Sequence, residues 1–356
     1  CSLARASVNQ VMRSVFEMRD SGKRATMQFI SLKEAAREMF IDRPSVFLKT
    51  LLYRLRYLPQ TNFDIGCQFA DRQLYRDARM RFRVALWLAP EFTEAWHNIG
   101  VCYLQLGEKT KAAEAFRKVL ALAPGHEEAL YLLATLGPGF LPAERQPSVM
   151  PLAMVQRFFV AVAHVYREME TNNRYAAPQL LEQKSAPFLS APSGLVVADL
   201  GAGVGLASLP WRGKAARLIA VDVTPAMLAE ARTMKSGEGK LFDELLEGNL
   251  LQPGSIPIPS ASLDVALLCN VAQFIGDLRV VIQAISRWLK PGGILVMTVE
   301  PYAGDGYGIN EKTSRFGHSA HYLKTLGEPL GLQVLLQERI QMYPETSAGL
   351  TIFRKG

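Results

Sequence analysis

The chain has 356 residues, a net charge of +7, 49% hydrophobic and 21% charged residues. This composition suits two globular domains with ordinary cores and excludes a disordered chain. No run of about 18 apolar residues is free of charge, so no membrane span is expected; the nearest candidate, residues 149–165, is broken by Gln156 and Arg157.

The cysteines stand at positions 1, 67, 102 and 269. No pair has metal-ligand spacing, so free thiols, a cytoplasmic location and no metal are expected. Cys1 admits two readings, the lipidated cysteine of a processed lipoprotein or a trimmed start, and the domains that follow favour the second. Residues 1–58 carry eleven Lys/Arg against five Asp/Glu. A basic segment of this kind is either a solvated helical face, the favoured reading, or a patch for an acidic partner. Nucleic acid is not favoured as a partner, because aromatic-glycine signatures and zinc spacing are missing. Asp42-Arg43-Pro44 is a helix-start signal, and Leu48, Leu51, Leu52, Leu55 and Leu58 form one apolar stripe behind it.

A 34-residue period follows. One unit has Trp96, Ile99, Gly100, Tyr103, Gly107, Ala112, Phe116 and Pro124; 34 residues earlier, all of these positions but that of Gly107 are answered by Asn62, Ile65, Gly66, Phe69, Ala78, Phe82 and Pro90. The small positions let paired helices approach and the aromatic positions fill between them. The pattern resembles the tetratricopeptide repeat, over Thr93–His126 and Pro59–Glu91. A third unit begins at Glu127 and is cut short by Gly137-Pro138-Gly139, which predicts a cap on the array. The resemblance implies a protein or peptide partner in the repeat groove; a mere brace for the second domain is the alternative. These features divide the chain into a helical extension at 1–58, repeats at 59–137, a Gly- and Pro-rich linker at 138–151 and a second domain at 152–356.

In that domain, helices are expected over about 152–170 and 174–184, then alternating strands and helices that imply a parallel sheet. The strand Leu195–Leu200 runs into Asp199-x-Gly201-Ala202-Gly203-x-Gly205. A dinucleotide fingerprint needs Gly at 206, where the residue is Leu, which disfavours a nicotinamide oxidoreductase. The next strand, 217–221, ends in Asp222, placed to accept ribose hydroxyls. Thr224-Pro225 starts a helix carrying Met227. Glu247-Gly248-Asn249-Leu250 follows, then strand 263–269 delivering Asn270, a helix over 278–289, a Pro291-Gly292-Gly293 turn before strand 294–300, and a terminal hairpin of 334–342 with 348–354.

This order resembles class I S-adenosylmethionine-dependent methyltransferases: a Rossmann-like, seven-stranded α/β domain after all-α repeats. The series of repeats, Tyr166, Arg174-Tyr175-x-x-Pro178, the Gly-rich turn, Leu241–Glu244, Phe274–Leu278 and Ser314–Ser319 is similar to a bacterial family of predicted methyltransferases containing tetratricopeptide repeats. The resemblance implies S-adenosylmethionine as cofactor, held by Asp199, Gly201, Ala202, Gly203, Gly205, Asp222, Met227, Asn249, Leu250 and Asn270. It departs from the family at Asn249, where an Asp is usual; the amide oxygen can still accept a hydrogen bond from adenine. On the acceptor side the candidates are His318 as general base, Arg315 for an anionic acceptor and Tyr166 as a lid, with Tyr175, Glu300, Tyr302, His321 and Tyr322 nearby. The acceptor is a small molecule or a protein. The alternative is a non-catalytic S-adenosylmethionine-binding adaptor that acts through its repeats.

Overall fold

The computed structural model describes residues 44–356, with side chains from 57 onward. The basic residues before 44 and the side chains of Leu48, Leu51, Leu52 and Leu55 lie outside the described residues. Two compact units divide between Glu144 and Arg145.

The first unit is helical: α1 (Pro44–Asp71), α2 (Tyr75–Leu88), α3 (Thr93–Gln105), α4 (Lys109–Leu122) and α5 (Glu127–Ala134). The repeat is visible in its packing. A Cβ on Gly66 would stand 2.6 Å from the Phe82 ring, and one on Gly100 2.7 Å from the Phe116 ring. Ala78, Phe82, Ala112 and Phe116 are fully buried. The Trp96 indole N–H donates to the Pro90 carbonyl at 2.8 Å, closing the turn between units. α5 stops after eight residues, and the Thr135 hydroxyl bonds back to the Leu132 carbonyl at its end.

The boundary expected between 58 and 59 is instead crossed by α1, which runs through Pro59. A proline inside a helix removes one backbone donor. The side chains of Thr61 and Asn62 add bonds to the carbonyls of Tyr57 and Leu58 in the adjoining turn.

The second unit opens with α6 (Leu152–Asn172) and α7 (Ala177–Ser185). Its strands are β1 (Leu195–Leu200), β2 (Ala215–Asp222), β3 (Glu244–Glu247), β4 (Leu263–Leu268), β5 (Leu289–Pro301), β6 (Tyr307–Asn310), β7 (Arg315–His318), β8 (Leu332–Tyr343) and β9 (Thr346–Lys355). Helices α8 (Pro225–Thr233), α9 (Arg279–Trp288) and α10 (Ala320–Gly327) connect them. The main sheet runs β8-β9-β5-β4-β1-β2-β3. From β3 to β5 it is parallel, and β9 inserts antiparallel between β5 and β8. β1 and β4 are buried along nearly their whole length and are apolar apart from Asp199 and Asp264, as expected of strands covered on both faces of the sheet. α9 buries Val281, Ile282, Ala284, Ile285 and Trp288, an amphipathic stripe at helical spacing.

Two local readings change. Pro291-Gly292-Gly293 is not a turn ahead of a strand but an irregularity within β5. The register slips between Leu263↔Leu289 and Val265↔Ile294, with Gly292 at φ +81° absorbing the extra residues. The end of the expected linker is also structured: Met150 N–H donates to the Phe274 carbonyl at 2.9 Å, and Gly276 N–H to the Ser148 carbonyl at 2.8 Å. The pair β6 and β7, unforeseen in the sequence, is an antiparallel ribbon whose β7 extends the end of β5.

Candidate active site

The strand order reverses between β1 and β4, and in open α/β sheets ligands bind beyond the carboxyl ends of the strands at such a switch point. β1 delivers Asp199 and the glycine turn there, β2 delivers Asp222, and β4 delivers Asn270.

Gly201, Gly203 and Gly205 have φ of +82°, +54° and +96°, a backbone that side-chain-bearing residues rarely adopt. A Cβ at Gly201 would stand 2.3 Å from Val271 and one at Gly205 2.5 Å from Phe242, so these two glycines are required by the protein's own packing. A Cβ at Gly203 meets nothing within 4 Å. That side of the turn is clear for a ligand. The turn is tied to β2: the N–H groups of Gly201 and Ala202 donate to the Val221 carbonyl, and Gly203 N–H donates to Asp222 Oδ2 at 2.9 Å. Asp222 Oδ1 accepts from Thr224 N–H at 2.8 Å. Burial raises the pKa of Asp222, opposed by these backbone donors. Asp199 is wholly enclosed, accepts from the Ser208 hydroxyl at 2.7 Å, and is pushed up to about 7 by burial.

Asn249 uses its side-chain oxygen to accept from Leu251 N–H at 2.9 Å, a local turn that fixes the amide at the end of β3. Leu250 is buried beside it. Met227 is only 1% exposed. It packs with Ala163 and Val204, and Phe159 and Tyr166 pack against this group. Asn270 has φ +60°, with its N–H bonded to the Thr298 hydroxyl and its amide donating to the Tyr175 hydroxyl at 3.3 Å.

The acceptor-side candidates separate. His318 is buried, and its Nε2 donates to the carbonyls of Ile275 (2.9 Å) and Gly276 (3.0 Å). Its ring stacks on Tyr322, and burial pushes its pKa down to about 4. With Nε2 spent on two carbonyls and Nδ1 buried without a partner, His318 clamps the 274–277 loop to β7, and the expected role as general base is corrected. Arg315 donates to Gln273 at 2.9 Å and lies over the Phe274 ring. Its charge acts on Glu170 and Glu300, both of which burial pushes up. With Gln273 and the Phe274 ring as its contacts and only a longer-range effect on the two carboxylates, Arg315 stays a candidate for an anionic acceptor rather than a member of an ion pair. Tyr322 accepts from Leu278 N–H and belongs to the same clamp, while His321 is exposed. Tyr166 meets Phe159 edge-on at 6.0 Å and bonds to Glu170.

Glu170 and Tyr343 are the residues that sequence reasoning missed. Glu170 Oε2 accepts from the Tyr343 hydroxyl at 2.8 Å, and Tyr175 stacks on Tyr343 at 5.2 Å. Tyr175 in turn bonds to Cys269 at 3.0 Å. A signal for Glu170 existed. Met154, Phe158, Val162, Tyr166 and Glu170 follow one another at intervals of four, so the carboxylate continues the inward stripe of α6. Among the described residues, three of the five non-glycine residues with positive φ, Arg174, Asn270 and Ser314, are in this cluster or next to its members Tyr175 and Arg315.

Residues 198–297 match the methyltransferase domain family, and residues 93–126 match the tetratricopeptide repeat. The chain thus carries a segment that matches a methyltransferase domain and a segment that matches a tetratricopeptide repeat. Among its relatives, malonyl-[acyl-carrier protein] O-methyltransferase of Serratia marcescens is 28% identical over 109 residues, 31% of this chain and 40% of the relative. The Xylella fastidiosa enzyme of the same name is 31% identical over 147 residues, 41% of this chain and 48% of the relative. The chain thus spans about half the length of the curated relatives it matches. The structure of Burkholderia thailandensis 1,6-didemethyltoxoflavin-N1-methyltransferase, with S-adenosylhomocysteine bound, aligns with a TM-score of 0.45 at 20% identity, covering 57% of this chain and 88% of that one. Among the described residues, no helix is long and apolar enough to cross a membrane and no cluster of side chains suits a metal.

Proposed function

We propose that this protein transfers the methyl group of S-adenosylmethionine to a small-molecule or protein acceptor, and that its repeats dock a protein or peptide partner. The observation that carries the reading is the turn from Gly201 to Gly205: it is fixed by its own packing on two sides, open at Gly203 and hydrogen-bonded to Asp222. Asp222 accepts the ribose hydroxyls, the open side of the turn takes the methionine portion, and Asn249 and Leu250 border the adenine. The sulfonium supplies an electrophilic methyl group. The chain aligns the acceptor with it at Asn270 and excludes water with α6. The relatives named as malonyl-[acyl-carrier protein] O-methyltransferases support methyl transfer as the chemistry. Titration calorimetry with S-adenosylmethionine, with NADH as control, tests the reading. Micromolar binding that Asp222→Ala removes is expected, and a folded protein that binds neither would overturn it.

A further inference from the structure

The cluster at the end of β4 holds an unusual group. Glu170 is 7% exposed, yet its hydrogen-bond donors are phenols rather than a cation: Tyr343 at 2.8 Å, and Tyr166 from its own helix. Enclosing an ionised carboxylate without a paired cation costs several kcal/mol, so its place beside the reaction centre calls for a reason. The groups facing it are Tyr166 on α6, Cys269 at the end of β4, Arg315 on β7 and Tyr343 on β8, and Tyr175 stacks on Tyr343. Tyr343 also bonds to Asn270, and the neighbouring Val271 lies against Gly201. The Glu170–Tyr343 pair therefore adjoins the turn assigned to the cofactor.

We infer that Glu170, acting through the Tyr343 hydroxyl, takes the proton of a methyl acceptor that must lose one, a hydroxyl or an amine. This rests on the methyl-transfer reading above. As the acceptor's oxygen or nitrogen attacks, its bond to hydrogen breaks and that proton passes to the Tyr343 oxygen. Tyr343 gives its own proton to Glu170 Oε2. The new bond to the methyl carbon forms, the carbon–sulfur bond breaks, and the sulfur keeps the electron pair. One buried negative charge and the sulfonium charge disappear together, which an enclosed site of low dielectric favours. Arg315 and the phenols keep Glu170 ionised beforehand, and burial raises its affinity for a proton, the combination a general base needs. An acceptor that is already a carboxylate needs no base, and it would face both Glu170 and Glu300.

The test uses the full chain saturated with S-adenosylmethionine. Carboxyl-labelled glutamate, with the Glu170 resonance assigned by its loss in Glu170→Gln, reports the titration by carbon NMR. Glu170 should be ionised at pH 8, titrate above the ordinary glutamate range, and move higher still in Tyr343→Phe. A carboxyl group still protonated at pH 8, or one with an ordinary midpoint that ignores Tyr343→Phe, would overturn the inference. Methyl transfer from the labelled donor to p-cresol, benzylamine and benzoate is the second arm. Transfer to the phenol or the amine should fall about 100-fold in Glu170→Gln with unchanged donor affinity. Transfer to the phenol or the amine that Glu170→Gln leaves intact would also overturn it, whereas any transfer to benzoate should be insensitive to the substitution. If none of the probes reacts, the titration decides. Failure of donor binding in the wild type would count against the methyltransferase reading; binding with a non-titrating Glu170 counts against this inference alone.

Discussion

Gly203 N–H donates to Asp222 Oδ2 across 2.9 Å, linking the turn after β1 to the acidic end of β2. The two parts of the proposed cofactor site are therefore one hydrogen-bonded unit. Asp222→Ala removes the ribose acceptor and also releases Gly203 and Thr224. Hydrogen bonds to a charged group are worth about 1.5–3 kcal/mol each. The expected result is a loss of at least about 100-fold in S-adenosylmethionine affinity by calorimetry, with the fold retained by circular dichroism.

The three glycines of that turn should respond differently. Gly201→Ala forces a methyl into Val271 at 2.3 Å, and overpacking of this kind costs about 1–3 kcal/mol. Gly203→Ala meets no neighbour and pays only the left-handed backbone cost of about 1–2 kcal/mol. Thermal melts should show Gly201→Ala as the less stable variant. Calorimetry should show Gly203→Ala losing the donor while it stays folded; undiminished binding in that variant would remove the open side of the turn from the proposal.

His318 should register in stability against pH. Its imidazole is held neutral, with a folded pKa of about 4 against 6.5 for the free side chain. The unfolded chain therefore binds a proton that the native state does not, and the stability linked to this group is complete above pH 6.5. It falls as pH drops towards 4, by up to about 3 kcal/mol. Asp199, Asp222 and Glu170 shift in the opposite sense, so the difference between wild type and His318→Gln isolates the effect. Urea unfolding should show that difference largest at pH 7 and shrinking by pH 5.

In the helical unit, Phe116→Ala empties the space between α3 and α4 that Gly100 leaves open. The expected cost is about 3–5 kcal/mol, read as a lower urea midpoint. Gly100→Ala should also destabilise, by about 1–3 kcal/mol, because its methyl would stand 2.7 Å from the ring of Phe116. A neutral outcome for both variants would mean that the two helices are not packed through this pair.

What could be read from the sequence was what spacing encodes locally. The glycine turn, Asp222 and the 34-residue repeat are each written within a short stretch, and the order of strands follows from alternating patterns. The acceptor side was not legible in the same way. Glu170 and Tyr343 are 173 residues apart and meet only because β8 folds back beside α6 through long-range packing. His318 looked like a base because of its residue type. Only the structure reveals that the carbonyls of Ile275 and Gly276 occupy its Nε2. The ribbon of β6 and β7 was missed because four-residue strands amid glycines and charges carry little periodicity.

Arg174, Asn270 and Ser314 hold left-handed backbone without being glycine, each at a cost of about 1–3 kcal/mol. Selection for heat resistance alone would drift towards glycine at these three places, since glycine relieves the torsion at no steric cost. Such a drift would relax the peptide joints that aim Tyr175 and Arg315 and would delete the Asn270 amide. Variants chosen for survival at high temperature should therefore trade away turnover first at residues 174, 270 and 314, which makes these positions a gauge of how far durability and catalysis compete in this fold.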